Sequence, residues 1–235
     1  MSSIEPTFDK PVRESKPHRL WLFALLSAAV ALLSGCESTV RVKDTSRTFR
    51  TVVIDAGHGG HDLGTHSRWG GVEKNHALDV ALRLDPRLRS AGFRTVLTRS
   101  GDYFVPLDRR AGISNRQENA IFVSIHFNEG PSRKAHGPET YYRSGPSREI
   151  AAKVQQAVAA LPGATSRGVK TANFRVLRRN GYPAVLVECG FLSNPAEGAR
   201  CATPRYREML AAAIAGAIIQ QRGLPAPQSG ALAGQ

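Results

Sequence analysis

Three short, largely apolar runs, each leading into an ionisable residue, limit what this chain can fold into. Val52-Val53-Ile54 passes through Asp55-Ala56-Gly57 to His58, the run 121–126 ends on His126, and the run 184–188 ends on Glu188. A run without polar alternation reads as a strand buried on both faces, as in a parallel sheet covered by helices. Helical spacing fills the stretches between. Ala77, Val80, Ala81, Leu84 and Leu88 recur within 71–90, with Pro86 expected to kink or shorten that helix. Ile150, Val154, Ala157, Val158 and Leu161 form a stripe within 146–161. Thr203-Pro204 caps a last helix that turns Leu210, Ala213, Ile214, Ala217 and Ile218 inward. A proline-opened helix over 106–119 and strands at 93–97, 138–143 and 174–177 complete the pattern. No crossover helix fits between His126 and the 138–143 strand, so one antiparallel neighbour is expected. The fold expected is one α/β domain of three layers, with a mixed, mostly parallel sheet and helices on both faces.

His58 stands on a glycine-rich turn just past the first strand, and Glu73 opens the next helix. Side chains at the carboxyl ends of neighbouring strands can meet in one cleft. Two histidines and a carboxylate form a zinc set with one open position. A further carboxylate can take a proton from water and return it to a leaving amine. His58, Glu73, His126 and Glu188 can fill these roles. Spacing alone leaves other roles open: a turn residue at 58, a satisfied core histidine at 126, a salt-bridged carboxylate at 188. His61, His66, His76 and His136 lie in polar or loop contexts and read as surface residues.

Of the basic residues, only Lys10, Arg13, Lys16 and Arg19 precede position 35. They introduce an uncharged apolar run over 20–33, too short for the ~20 residues of a membrane span and suited to a signal peptide. Leu33-Ser34-Gly35-Cys36 resembles the lipobox of bacterial lipoproteins. That resemblance implies cleavage before Cys36, a lipid on its thiol, and a periplasmic chain held by a membrane. Glu37, where Asp would favour inner-membrane retention, points to the outer membrane. The division expected is a signal peptide over 1–35, a tether over 36–50, a catalytic domain over 51–222 and a disordered tail over 223–235. The net charge of +13 attracts anions, but no nucleic-acid motif accompanies it. Cys189 and Cys201 can pair or stay as buried thiols.

Ordered blocks sharpen the expectation. DAGHGG at 55–60, Glu73-Lys74, LTR at 97–99, SIHFN at 124–128 and VECGFLSN at 187–194 resemble the zinc-dependent N-acetylmuramoyl-L-alanine amidases of the type-3 amidase family. Leu107 with Arg110 and Asn115, Gly137 with Glu139-Thr-Tyr-Tyr, and Arg167-Gly168-Val169-Lys170 extend the likeness, which covers 52–219. It implies His58, Glu73 and His126 as zinc ligands and Glu188 as the catalytic glutamate. The implied reaction is hydrolysis of the amide between N-acetylmuramic acid and L-alanine in peptidoglycan. Asn128 is a candidate substrate contact, with a turn role as its alternative. Arg99 and Arg110 read as structural pairing or rim residues. The segment 127–183 has no spare helix to plug the site, so an open site is expected, with any protein activator left undefined. The partners expected are peptidoglycan and, through the lipid, a membrane, but no nucleic acid, for a monomer. A zinc peptidase acting on stem peptides and a non-catalytic wall-binding lipoprotein stand as alternatives.

Overall fold

The computed structural model describes residues 40–224. The expected signal peptide, Cys36 and nearly all of the expected tail lie outside the described residues. The described residues form eight strands: β1 (Thr51–Ala56), β2 (His66–Ser67), β3 (Gly71–Val72), β4 (Arg94–Leu97), β5 (Ala120–Asn128), β6 (Glu139–Tyr142), β7 (Val169–Thr171) and β8 (Ala184–Phe191). Six of them form one sheet in the order β4-β1-β5-β8-β6-β7, and β2-β3 is a separate antiparallel hairpin. β4, β1, β5 and β8 run parallel; β6 is antiparallel to β8 and parallel to β7. The mixed, mostly parallel sheet is therefore as expected.

Helices cover both faces. Strand side chains alternate between them, so Val52 and Ile54 enter the larger core while Val53 enters the smaller. The larger core lies under α1 (Glu73–Ser90), α3 (Arg148–Ala159) and α6 (Pro204–Gln221). The smaller lies under α2 (Leu107–Asn115) and α4 (Arg175–Arg178). Thr203 caps α6 by accepting from the Tyr206 N–H. Cys189 and Cys201 are buried free thiols. No helix among the described residues is long and apolar enough to cross a membrane.

Several local expectations are corrected. α1 runs through Pro86 without ending. The proline removes a bond to the Leu82 carbonyl, and Leu82 is exposed, so water can take that carbonyl. The expected strand over 174–177 is the short helix α4, which places the adjacent Val176 and Leu177 on one buried face. A strand would have sent them to opposite sides. The helix expected over 106–119 stops at Asn115. Strand β7, the β2-β3 hairpin and α5 (Pro195–Cys201) were not foreseen. For α5 the signal was present: Asn194 caps it by accepting from the Glu197 N–H, with Pro195 next.

The expected tether does not reach residue 50. Lys43 N donates to Gly181 O, Thr45 Oγ1 to Ala120 O, and Gln221 Nε2 to Ser46 O. Phe49 is fully buried and stacks on Phe93, ring centroids 5.4 Å apart. This strap belongs to the domain because one aromatic ring is sunk into its core. Phe49→Ala is expected to cost about 3–5 kcal/mol in urea unfolding, whereas a side chain on a free tether would shift stability by less than about 0.5 kcal/mol.

Candidate active site

The turn that follows β1 is built from buried polar groups. Asp55, fully buried, accepts from Thr98 Oγ1 (2.6 Å), Ser124 Oγ (2.7 Å) and Arg110 Nη1 (2.9 Å). Arg110 also donates to the carbonyls of Ala56, His58 and Val105. Arg99 donates to those of Ala56, Gly57, Lys74 and Gly101. A chain leaving a sheet into a buried turn strands its carbonyls, and a guanidinium offers five donors in a fixed fork. The two arginines are thus structural, and nearly fully buried; neither lies on a rim.

The brace fixes an uncommon backbone. His58 has φ +58°, followed by Gly59 at +125° and Gly60 at +62°. Left-handed backbone costs a non-glycine residue about 1–2 kcal/mol, and Arg110 grips the His58 carbonyl that must be held there. Lys74 Nζ ties the Gly60 carbonyl to Asp102, whose other oxygen accepts from Gly60 N. Two further glycines permit close approach. A Cβ on Gly57 would lie 2.4 Å from the His126 ring, and one on Gly64 would lie 2.5 Å from Glu73 Oε2.

Three side chains then converge. Glu73, the first residue of α1, directs Oε1 at His58 Nε2 (3.0 Å) and His126 Nδ1 (2.9 Å). Phe127 N donates to the same oxygen and Thr65 N to Oε2. The three ligand-capable atoms lie within 4.8 Å of one another, and no other such cluster occurs among the described residues. His61, His66, His76 and His136 are outside it. Asp62 Oδ1 sits 2.8 Å from His58 Nδ1. With Nδ1–H donating to the Asp62 carboxylate, a neutral His58 turns an Nε2 lone pair toward a carboxylate oxygen. Two acceptors at that separation call for positive charge between them.

Titration behaviour agrees. Burial alone would lower the His126 pKa, but the hydrogen bond and charge of Glu73 outweigh it and raise it to about 9. Burial would likewise raise Glu73, yet His126 and His58 hold it well below the usual carboxylate range. Zinc bonds of ~2.0–2.2 Å to nitrogen and oxygen place ligand atoms about 3–3.6 Å apart. The donor types and their spacing fit zinc with small adjustments.

Glu188 stands beside this cluster because β5 and β8 pair His126 with Glu188 in register, on one face of the sheet. Its Oε2 is buried and lacks a hydrogen-bond partner. Burial pushes its pKa up to about 7; Glu73 and Glu139 add to the shift, and the two histidines oppose it. On the other side β6 pairs Glu139 with Glu188. Glu139 accepts from Asn128 Nδ2 (2.8 Å), Tyr141 OH (2.8 Å), Arg167 Nε (2.8 Å) and Lys170 Nζ. Asn128, read from sequence as a substrate contact, therefore has its amide group on Glu139. Sequence reasoning singled out the four residues that the fold brings together here, His58, Glu73, His126 and Glu188, but assigned no role to Asp55, Asp62 or Glu139. A carboxylate four residues after a turn histidine was the one local signal for Asp62.

Comparison with known proteins places this geometry. Residues 52–220 match a family described as N-acetylmuramoyl-L-alanine amidase. The N-acetylmuramoyl-L-alanine amidase LytC of Bacillus subtilis is 36% identical over 168 residues. The match covers 70% of this chain and 34% of LytC, so the chain spans about a third of that relative's length. Among solved structures, the N-acetylmuramoyl-L-alanine amidase AmiC2 of Nostoc punctiforme superposes with a TM-score of 0.70 at 36% identity, covering 72% of this chain and 95% of that one. The catalytic domain of the amidase CwlV from Bacillus (Paenibacillus) polymyxa var. colistinus gives 0.71 at 35% identity, covering 75% and 100%.

Asp62 orients the His58 ring without joining the cluster. Asp62→Ala is expected to weaken zinc affinity about 10–100-fold by calorimetric titration, with an unchanged circular dichroism spectrum. An affinity within twofold of the wild type would remove Asp62 from this role.

Proposed function

This chain belongs to the N-acetylmuramoyl-L-alanine amidase family, and we propose that it is a zinc-dependent cell-wall hydrolase. Its substrate is the amide between the lactyl group of N-acetylmuramic acid and the L-alanine of the peptidoglycan stem. One observation carries the proposal: a buried carboxylate oxygen without a partner, on Glu188, lies in register beside a His58–Glu73–His126 cluster suited to a divalent cation.

His58, Glu73 and His126 would hold the zinc. When bound, zinc supplies Lewis acidity toward the scissile carbonyl and lowers the pKa of water. Glu188 then takes a proton from the attacking water and returns it to the departing L-alanine nitrogen. A carboxyl group with a pKa near neutrality suits both transfers, since it gives up its proton about as readily as it gains one. Asn128 braces Glu139 and offers its remaining Oδ1 to a substrate N–H. The helices between β5 and β8 pack on the sheet, which supports a cleft open without an activator.

The same reading places the mature chain in the periplasm as a monomer, tethered through a lipid on Cys36, with the outer membrane favoured over the inner by Glu37. Cys36→Ser is expected to leave the leader uncleaved and the chain without its diacylglycerol, both visible in the intact mass. Processing of that variant at the same bond would argue for an ordinary secretory signal.

Digestion of purified sacculi, followed by mass spectrometry, tests the chemistry. Free stem peptides beginning at L-alanine are expected, lost with a chelator and restored by zinc. Glu188→Ala should lower kcat about 10²–10⁴-fold while zinc binding persists. Stem peptides shortened but still joined to glycan would instead indicate a peptidase. The base must be ionised to act, so the rate should fall as pH drops through the Glu188 pKa. The charge of a bound cation draws that pKa below its metal-free position of about 7. An acid limb with a midpoint above 7 would assign the titration to another group.

A further inference from the structure

The end of the sheet away from the catalytic cluster carries a feature that hydrolysis does not use. The amino ends of β1, β4 and β5 border a cavity of about 880 Å³ lined by Arg50, Arg94, Arg116 and Arg222, with Glu118 its one carboxylate. The hydrogen bonds of these arginines go to neutral groups. Arg94 reaches Thr51 Oγ1 and Gln117 Oε1, and Arg222 Nη1 reaches the Arg47 carbonyl (2.6 Å). Arg222 Nε is buried with no partner. None of the four has a carboxylate partner among the described residues. Four like charges around one opening repel one another, and an anion entering it relieves that repulsion.

Chain connectivity says which anion. The strap before β1 crosses this same edge, bonding to Gly181 just ahead of β8 and to Ala120 at the start of β5. Thr48 and Thr51, at its end, line the cavity. Cys36 precedes Val40 by four residues, which extend at most about 14 Å. The catalytic cluster sits at the carboxyl ends of β1 and β5, on the order of 20 Å away along the strands.

We propose that this arginine cavity docks the phosphate groups of an anionic lipid surface, seating the amino-end edge of the sheet on the membrane and turning the catalytic cleft toward the wall. The orientation rests on the lipid-anchor reading above; the docking itself does not depend on the hydrolytic chemistry.

Residues 37–235 without the lipid serve for the test, since every buried core residue described lies within 40–224. Co-sedimentation with phosphatidylcholine vesicles, with or without phosphatidylglycerol, is measured at low and high salt. Binding is expected only with phosphatidylglycerol and is expected to weaken with salt. Arg50 and Arg116 are exposed, so Arg50→Gln with Arg116→Gln leaves the core intact. At roughly fivefold per guanidinium, that pair should weaken binding on the order of 25-fold. Arg109→Gln with Arg205→Gln removes the same charge from exposed positions outside the cavity and should weaken it far less. Equal losses in the two pairs, or none, would overturn the proposal. So would displacement from vesicles by inorganic phosphate at concentrations where sulfate of matched ionic strength has no effect, because the cavity would then be a free-phosphate site. Vesicle binding without release of stem peptides would sink the amidase proposal alone; amidase activity without vesicle binding would sink this one alone.

Discussion

The buried contact between Asp55 and Arg110 supports everything above it. An ion pair sealed from water is costly to form and costlier to break on one side. Here each partner is also saturated by further bonds: Asp55 by Thr98 and Ser124, Arg110 by three carbonyls. The result is a rigid platform under a turn that would otherwise leave its carbonyls unpaired. His58 can occupy left-handed backbone only because this platform outweighs the strain.

From that platform the electrostatics of the cluster follow. Glu73 concentrates four hydrogen-bond contacts on its two oxygens, from two rings and two backbone N–H groups. The rings face the carboxylate closely enough that the site favours positive charge, whether from protons or from a cation. Glu188, one strand over, has the opposite character: its Oε2 is buried and unpartnered, and the carboxyl group is reluctant to ionise. A cation-seeking cluster thus lies beside a carboxyl group of near-neutral pKa, and environment sets the two glutamates apart although the four residues are of only two chemical types.

The sheet thus has two unlike ends. Its carboxyl ends gather histidines and carboxylates, and its amino ends gather arginines and the strap that leads back to the amino terminus. Parallel strands make this polarity unavoidable, because neighbouring strands start at one edge and finish at the other.

Much was legible locally. Largely apolar runs of three to five residues fit a sheet covered on both sides, and helical stripes supply the covering, so the three-layer fold followed from period and length. His58, His126 and Glu188 stood out because each ends or follows such a run, where a buried charge must have a purpose or a partner, and Glu73 stood out by its place at the start of the next helix. What escaped depends on residues far apart in sequence. Phe49 is a lone aromatic in a polar stretch, and only its contact with Phe93 makes the stretch part of the domain. Glu139 becomes the neighbour of Glu188 only through an antiparallel register between β6 and β8. Arg110 meets Asp55 across 55 positions, and the four arginines of the cavity come from four separate segments. Local burial pattern sets which elements form; register and long-range contact set which charges meet, and no short window of sequence contains both partners.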